Sequence, residues 1–188
     1  MTNIAIFASG NGSNAERIIT YFKNHAHTKV VCIVSDHQDA IVLDRAKKLN
    51  VPSYIFSGKQ FKEGTEIIKL MQELKIDFII LAGFLRLIPE NFIHIFPNRI
   101  INIHPALLPD FGGKGMYGEN LFRTVLDSGE KESGITIHYV NENYDKGEII
   151  FQTKCLIDEN ETIDTLEKKI HKLEYEHYPK IIEKLINN

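Results

Sequence analysis

The stretch Arg99–Asn120, RIINIHPALLPDFGGKGMYGEN, opens as a strand and then breaks into a loop punctuated by proline and glycine. Ile100, Ile101 and Ile103 put apolar side chains on both faces, the pattern of a strand in a parallel sheet covered by helices. Asn102 and His104, at i and i+2, point to the same face because strand side chains alternate. Open parallel sheets carry their chemistry at the carboxyl ends of their strands, and this pair stands at such an end.

Outward from that strand, short β-branched runs alternate with helical-period segments, the signature of βαβ units. Asn3–Ser9, Lys29–Asp36, Pro52–Phe56 and Asp77–Gly83 read as strands before Arg99–His104, and Ala15–Asn24, Ala40–Leu49, Thr65–Lys75 and Glu90–Phe96 read as helices between them. Gly134–Asn141 and Glu148–Ile157 follow as two strands joined by a short turn that suits an antiparallel hairpin. A helix from about Thr162 to Ile186 closes the chain. The fold class is therefore α/β: a Rossmann-like, mostly parallel twisted sheet with helices on both faces, a C-terminal antiparallel hairpin and a long final helix. Leu108-Pro109 sits in a tight turn where a cis peptide is expected, since X-Pro is the one bond type for which cis is cheap.

The 188 residues fit one domain with a substantial core. A formal net charge of −3 argues against broad electrostatic binding of nucleic acid or anionic membrane. No apolar run approaches the roughly 20 residues of a spanning helix, and Met1 leads straight into a strand with no charged leader; a cytoplasmic protein is expected. Cys32 and Cys155 lie in apolar runs and read as free, buried thiols.

The first strand meets the first helix at SGNGSNA, Ser9–Ala15. Gly10, Gly12 and Ala15 fit G-x-G-x-x-G/A, and Asp36 closes the second strand near the spacing of a dinucleotide fingerprint. An NAD-dependent reading is permitted. The crowd of Ser9, Asn11, Ser13 and Asn14 around a helix start suits a terminal phosphate better, because N–H groups there bind phosphate without lysine. On that reading Gly12 is a glycine so that the ligand can approach the backbone. There is no G-K-[ST], which removes a P-loop nucleotidase.

His138 shares a strand face with Thr136 and reads as a hydrogen-bonded core histidine, while Asp145 lies in the turn NYDKG. Two His and one Asp could form a facial metal triad, but no H-x-x-x-H or C-x-x-C supports metal, and none is assigned. No Ser or Cys sits in a nucleophile elbow. Asn102 and His104 then stabilise charge developing on an oxygen, and Asp145 orients His104 or takes a proton. The substrate must bring its own nucleophile.

SGNGSN, LAGFLRLIP, NIHPALLP and ITIHYVNENYDKGEII, in this order and spacing, resemble the phosphoribosylglycinamide formyltransferase family, folate-dependent enzymes of purine synthesis. The resemblance covers essentially the whole chain. It implies formyl transfer from 10-formyltetrahydrofolate, a co-substrate, to the amine of glycinamide ribonucleotide, with both small molecules as the partners and no nucleic acid or membrane. Asn102, His104 and Asp145 match the family's catalytic trio, and Gly12, Ser13 and Asn14 its phosphate-binding residues. Glu174 matches a carboxylate that binds ribose hydroxyls; without the resemblance it reads as one more charge on an exposed helix face. Leu85, Arg86, Leu87 and Ile88 match the segment whose backbone reads the pterin, covered by a loop from Val140 to Asp145. One domain over 1–188 is implied, with a phosphate-binding half to about residue 100 and a catalytic, folate-binding half after it. The glycine-rich stretch DFGGKGMYGEN, 110–120, departs from the pattern of many relatives and is expected to be mobile until substrate arrives; Lys114 within it is not assigned a catalytic part. Formyl transfer to methionyl-tRNA or a sugar amine, and hydrolysis of formyltetrahydrofolate, are the neighbouring alternatives. A dehydrogenase would need hydride-transfer machinery that no motif supplies. A binding module would not need the Asn, His and Asp set.

Overall fold

The computed structural model describes residues 1–187. The chain divides into two compact units, Met1–Asn102 and Ile103–Asn187, with the division inside one strand.

In the first unit β1 (Thr2–Phe7), β2 (Thr28–Ser35), β3 (Ser53–Ile55), β4 (Phe78–Leu81) and β5 (Ile100–His104, which continues past the division) lie in the order β3-β2-β1-β4-β5, every neighbouring pair parallel. The reversal of order about β1 leaves a crevice at the carboxyl ends, the place where such sheets bind ligands. The helices are α1 (Ser13–Phe22), α2 (Ile41–Lys48), α3 (Gly58–Glu63), α4 (Thr65–Glu73) and α5 (Glu90–Ile95). Helix α3 is an addition to the expected set, started by a capping box between Ser57 and Gln60. Ile4, Ile6, Ile33, Ile79 and Ile80 are fully buried in the sheet. Phe7, Phe61, Phe84 and Phe92 stack edge-on around the end of β1, with ring centroids 5.6 to 6.2 Å from Phe7. That cluster holds Phe84, and with it the start of the FLRLI segment.

In the second unit the order runs β5-β6-β7, where β6 (Glu132–Tyr139) and β7 (Ile149–Leu156) form the expected antiparallel hairpin. Between β5 and β6 the chain forms α6 (Gly118–Asp127), and α7 (Ile163–Ile186) closes it. The Leu108-Pro109 peptide is cis, as expected. Helix α7 is capped by Thr162, and its buried row is Leu166, Ile170, Glu174, Tyr178 and Ile182, one residue per turn. Glu174 is 3% exposed, which corrects its reading as a charge on a solvent face: it occupies the middle of the apolar stripe. Cys32 and Cys155 are free; Cys32 is buried, which pushes its thiol up to about 12, whereas Cys155, expected buried, is only half-buried. Among the described residues no helix is long and apolar enough to cross a membrane.

Candidate active site

In the first unit the loop after β1 is fixed from three directions. Ser9 donates its N–H to the Gly83 carbonyl, and its hydroxyl accepts from the Leu85 N–H, at 3.1 Å each. Val42 N–H bonds the Gly10 carbonyl. Arg45, on α2, donates from Nε to the Asn11 carbonyl at 2.9 Å and from Nη2 to the Asn11 side chain at 2.7 Å, and pairs with Glu16. Sequence reading left Arg45 out, since a lone Arg on a helix carries no signal of what it reaches.

Gly12 is the N-cap of α1 with φ 73°, a left-handed conformation, and no side chain caps the helix. The first-turn N–H groups, which have no carbonyl to bond within the helix, are thus offered at the loop. Packing supplies a reason for glycine beyond the one expected. A Cβ at Gly12 would stand 2.4 Å from Val42 Cβ and Cγ2, so its missing side chain is what lets α1 approach α2.

A cavity of about 730 Å3 opens beside this loop, lined among others by Gly10, Asn11, Asp36, Ile41 and Ile55. Asp36, the fingerprint carboxylate, does not offer itself to a ribose there. Arg86 Nε holds its Oδ2 at 2.6 Å, and the Asp36 side chain is 2% exposed. The dinucleotide reading therefore loses its anchor. In the FLRLI segment Phe84 and Ile88 are buried, while Leu85 and Leu87 are 47% and 42% exposed between them.

In the second unit the turn after β5 hangs on Thr136 of β6. Its hydroxyl donates to the Ala106 carbonyl at 2.8 Å and accepts from the Leu108 N–H at 3.0 Å and from Gln152 Nε2 at 2.9 Å; Gln152 Nε2 also reaches the Leu108 carbonyl. This network presents the end of β5. Asn102 is half-buried and His104 buried on the shared face of that strand.

His104 Nε2 lies 2.7 Å from the Phe111 carbonyl. A carbonyl only accepts, so Nε2 carries the proton and Nδ1 of the neutral ring is bare. That Nδ1 is 3.7 Å from Asp145 Oδ1. His138 is arranged in the mirror sense: Nδ1 donates to the Tyr139 carbonyl at 2.8 Å, and Nε2 is 3.6 Å from the same Asp145 oxygen. Asp145 Oδ2 accepts the Gly113 N–H at 2.9 Å. Two imidazoles thus face one carboxylate oxygen; His138, buried and bonded to the Tyr139 carbonyl, is the hydrogen-bonded core histidine its sequence position suggests, with Asp145 as a further neighbour.

Burial lowers the His104 pKa, and the Asp145 charge only partly opposes it. Burial pushes the Asp145 carboxyl up, but the His138 and His104 rings beside it and the Gly113 N–H outweigh it and hold the group below its ordinary range. The site therefore rests as a neutral His104 beside a carboxylate.

Local backbone explains why the turn reads D-x-G. Asp145 has φ 54°, left-handed and tolerated by Asp, and a Cβ at Gly147 would meet the Tyr139 carbonyl oxygen at 1.6 Å. Asn141 ties the loop before Asp145 by accepting from the Asn143 N–H and donating to the Lys146 carbonyl; Val140 is half-buried at its start. The glycine loop is anchored at its beginning, since Phe111 and Gly113 are held by His104 and Asp145, and a Cβ at Gly112 would stand 2.5 Å from Leu108. Lys114 is exposed. Glu174 receives a hydrogen bond from His171, Nδ1 to Oε2 2.8 Å, and its charge acts on His104. Among the described residues no group of three or more His, Cys, Asp or Glu side chains could hold a metal ion.

The mostly parallel sheet with helices between its strands and an antiparallel hairpin at its end defines an α/β protein of Rossmann-like class. Residues 2–182 match the formyl transferase family, and the chain belongs to it. It is 40% identical to phosphoribosylglycinamide formyltransferase of Bacillus subtilis, over 99% of this chain and 95% of that one. It is 34% identical to the Haemophilus influenzae enzyme of the same name, over 97% of this chain and 86% of the other. Among solved structures, phosphoribosylglycinamide formyltransferase from Streptococcus pneumoniae superimposes with a TM-score of 0.88 at 36% identity, covering 99% of both chains. The Bacillus halodurans protein gives 0.90 at 36% identity, over 98% of this chain and 95% of that one.

Proposed function

We propose that this protein transfers a formyl group from 10-formyltetrahydrofolate to the amine of glycinamide ribonucleotide, giving formylglycinamide ribonucleotide and tetrahydrofolate in purine biosynthesis. The observation that carries the reading is the convergence of His104 and His138 on Asp145 at the end of β5. The substrate amine attacks the formyl carbon, and the amide of Asn102 donates to the oxygen as it becomes an oxyanion. The proton released by the amine passes, through water, to the bare Nδ1 of His104. The ring then becomes a second donor to the oxyanion, with the Asp145 charge balancing it. Collapse returns that proton to the departing folate nitrogen, so the ring ends neutral as it began.

The phosphate is assigned to the loop of Gly12, Ser13 and Asn14, and the ribose hydroxyls to Glu174. The pterin is assigned to Leu85, Arg86, Leu87 and Ile88 with the Val140–Asp145 loop. The chain acts as one formyltransferase domain, phosphate-binding to about residue 100 and catalytic beyond, in the cytoplasm and without nucleic acid.

The test is to mix the protein with glycinamide ribonucleotide and 10-formyltetrahydrofolate and follow folate absorbance. Turnover is expected, and it should survive exhaustive chelation. No turnover with this pair, or turnover abolished by chelation and restored by zinc or iron, rejects the reading.

A further inference from the structure

A carboxyl group in the middle of an apolar helix row needs a partner, because burying it unpaired is costly. Glu174 has one within its own helix. His171, three residues earlier, faces it at 2.8 Å and is itself 38% exposed on the side chain. The imidazole is held in place on its other sides: Tyr175 lies flat against it, ring centroids 5.7 Å apart and planes 5° apart, and Glu167 is 3.6 Å from its Nε2. One nitrogen is therefore committed to Glu174 while the ring reaches water. Histidine at this spacing gives a buried carboxylate a fixed direction and a counter-charge that solvent can supply or withdraw.

We propose that His171 is a positioning residue that fixes the Glu174 carboxylate by this hydrogen bond for a ribose diol. The proposal rests on the reading of Glu174 as the ribose-binding group. Glu174 and Glu167 are the acidic groups that act on His171. His104 of β5 and Tyr178 one turn on share the field of Glu174, and Tyr178 is kept neutral by burial, its pKa pushed well above the ordinary value. The bond to Glu174 raises the His171 pKa. The imidazolium thus persists to higher pH than for a free histidine, and the affinity it supports fades as pH rises through that raised value.

The experiment compares the parent with His171→Gln, His171→Lys and Glu174→Gln by KM and kcat for each substrate from pH 6 to pH 8.5. His171→Gln is expected to raise KM for glycinamide ribonucleotide about 5-fold at the acid end, the scale of one charge-assisted hydrogen bond partly exposed to water. Its kcat and the KM for 10-formyltetrahydrofolate stay unchanged. The ratio of variant to parent KM should fall toward one as pH rises, which cancels the titration of the substrate amine common to both. His171→Lys, charged throughout, should keep the low KM across the range. In the Glu174→Gln background, His171→Gln should add nothing. If Glu174→Gln leaves KM unchanged, the ribose reading falls and this proposal with it. If Glu174→Gln weakens binding while His171→Gln does not, or does so equally at every pH, the positioning role alone is overturned. Independently of activity, the His171 ring followed by NMR should titrate at lower pH in Glu174→Gln than in the parent; an unchanged midpoint overturns the coupling even where a variant folds poorly.

Discussion

His104 gives its only ring proton to the carbonyl of Phe111, at 2.7 Å, and so turns a bare nitrogen toward Asp145. The ring is polarised before any ligand arrives: one nitrogen is spent on the backbone and the other is a base. That commitment, together with burial, sets how the protein responds to acid.

Burial depresses the His104 pKa below its ordinary 6.5. The unfolded chain therefore binds this proton before the folded chain does, so the group withdraws stability as pH falls through about 6.5, until the folded ring is protonated too. His104→Gln should narrow the gap between the melting temperatures at pH 7.5 and pH 5.5. His171 has the opposite sign, its contribution present at low pH and lost as pH rises through its raised value, which is why variant and parent must be compared. Asp145, held low, gives way only below its ordinary 3.8. Thermal melts at the two pH values check this; an unchanged or wider gap would contradict it.

Asn102→Ala and His104→Ala should each lower kcat by roughly 100- to 1,000-fold, the usual cost of one preorganised donor at an oxyanion. Asp145→Asn should fall in the same range, because it removes the charge that favours a protonated His104. The three act on one transition state, so the Asn102→Ala, His104→Ala double variant should be only slightly slower than the worse single one. Steady-state rates at saturating substrates decide it. Full additivity, or any single variant within a few fold of the parent, would mean that the strand-end pair is structural.

Gly12 separates stability from binding. Gly12→Ala must adopt φ 73° with its Cβ pressed into Val42, and a left-handed non-glycine alone costs roughly 1–2 kcal/mol. For a chain of this size that lowers the melting temperature by about 4 °C or more, with no ligand present. Ser13→Ala touches no such contact; it should melt within about a degree of the parent yet raise KM for glycinamide ribonucleotide several-fold. Calorimetry on the free proteins beside the kinetics distinguishes them.

The parallel sheet, the hairpin and the closing helix are legible because their apolar periods are long and uninterrupted, and Asn102 and His104 because polar residues inside such a period stand out. What escapes is of another kind. The α3 start is written locally as Ser57-x-x-Gln60, but its apolar content is one residue, Phe61, too little for a periodicity. Glu174 had a signal: Leu166, Ile170, Tyr178 and Ile182 place it on their own row, and a charge in that row is an exception to explain. Arg45 had none, because what an Arg touches depends on chain distant in sequence. The same is true of Gly12, whose glycine is dictated by Val42 on the next helix.

Thr136 spends one hydroxyl on three partners, and everything from Ala106 to Leu108 is suspended from that oxygen. Thr136→Val keeps the shape and strands the whole set at once, at about 1–3 kcal/mol for buried groups left unpaired. Such a deficit is local, and the first thing it loosens is the platform under His104. Heating should therefore silence this variant several degrees before circular dichroism records any melting, whereas in the parent the two events coincide. The apolar positions of β6 carry no such duty, since neighbours can repack around them, whereas the working end of β5 depends on this one hydroxyl.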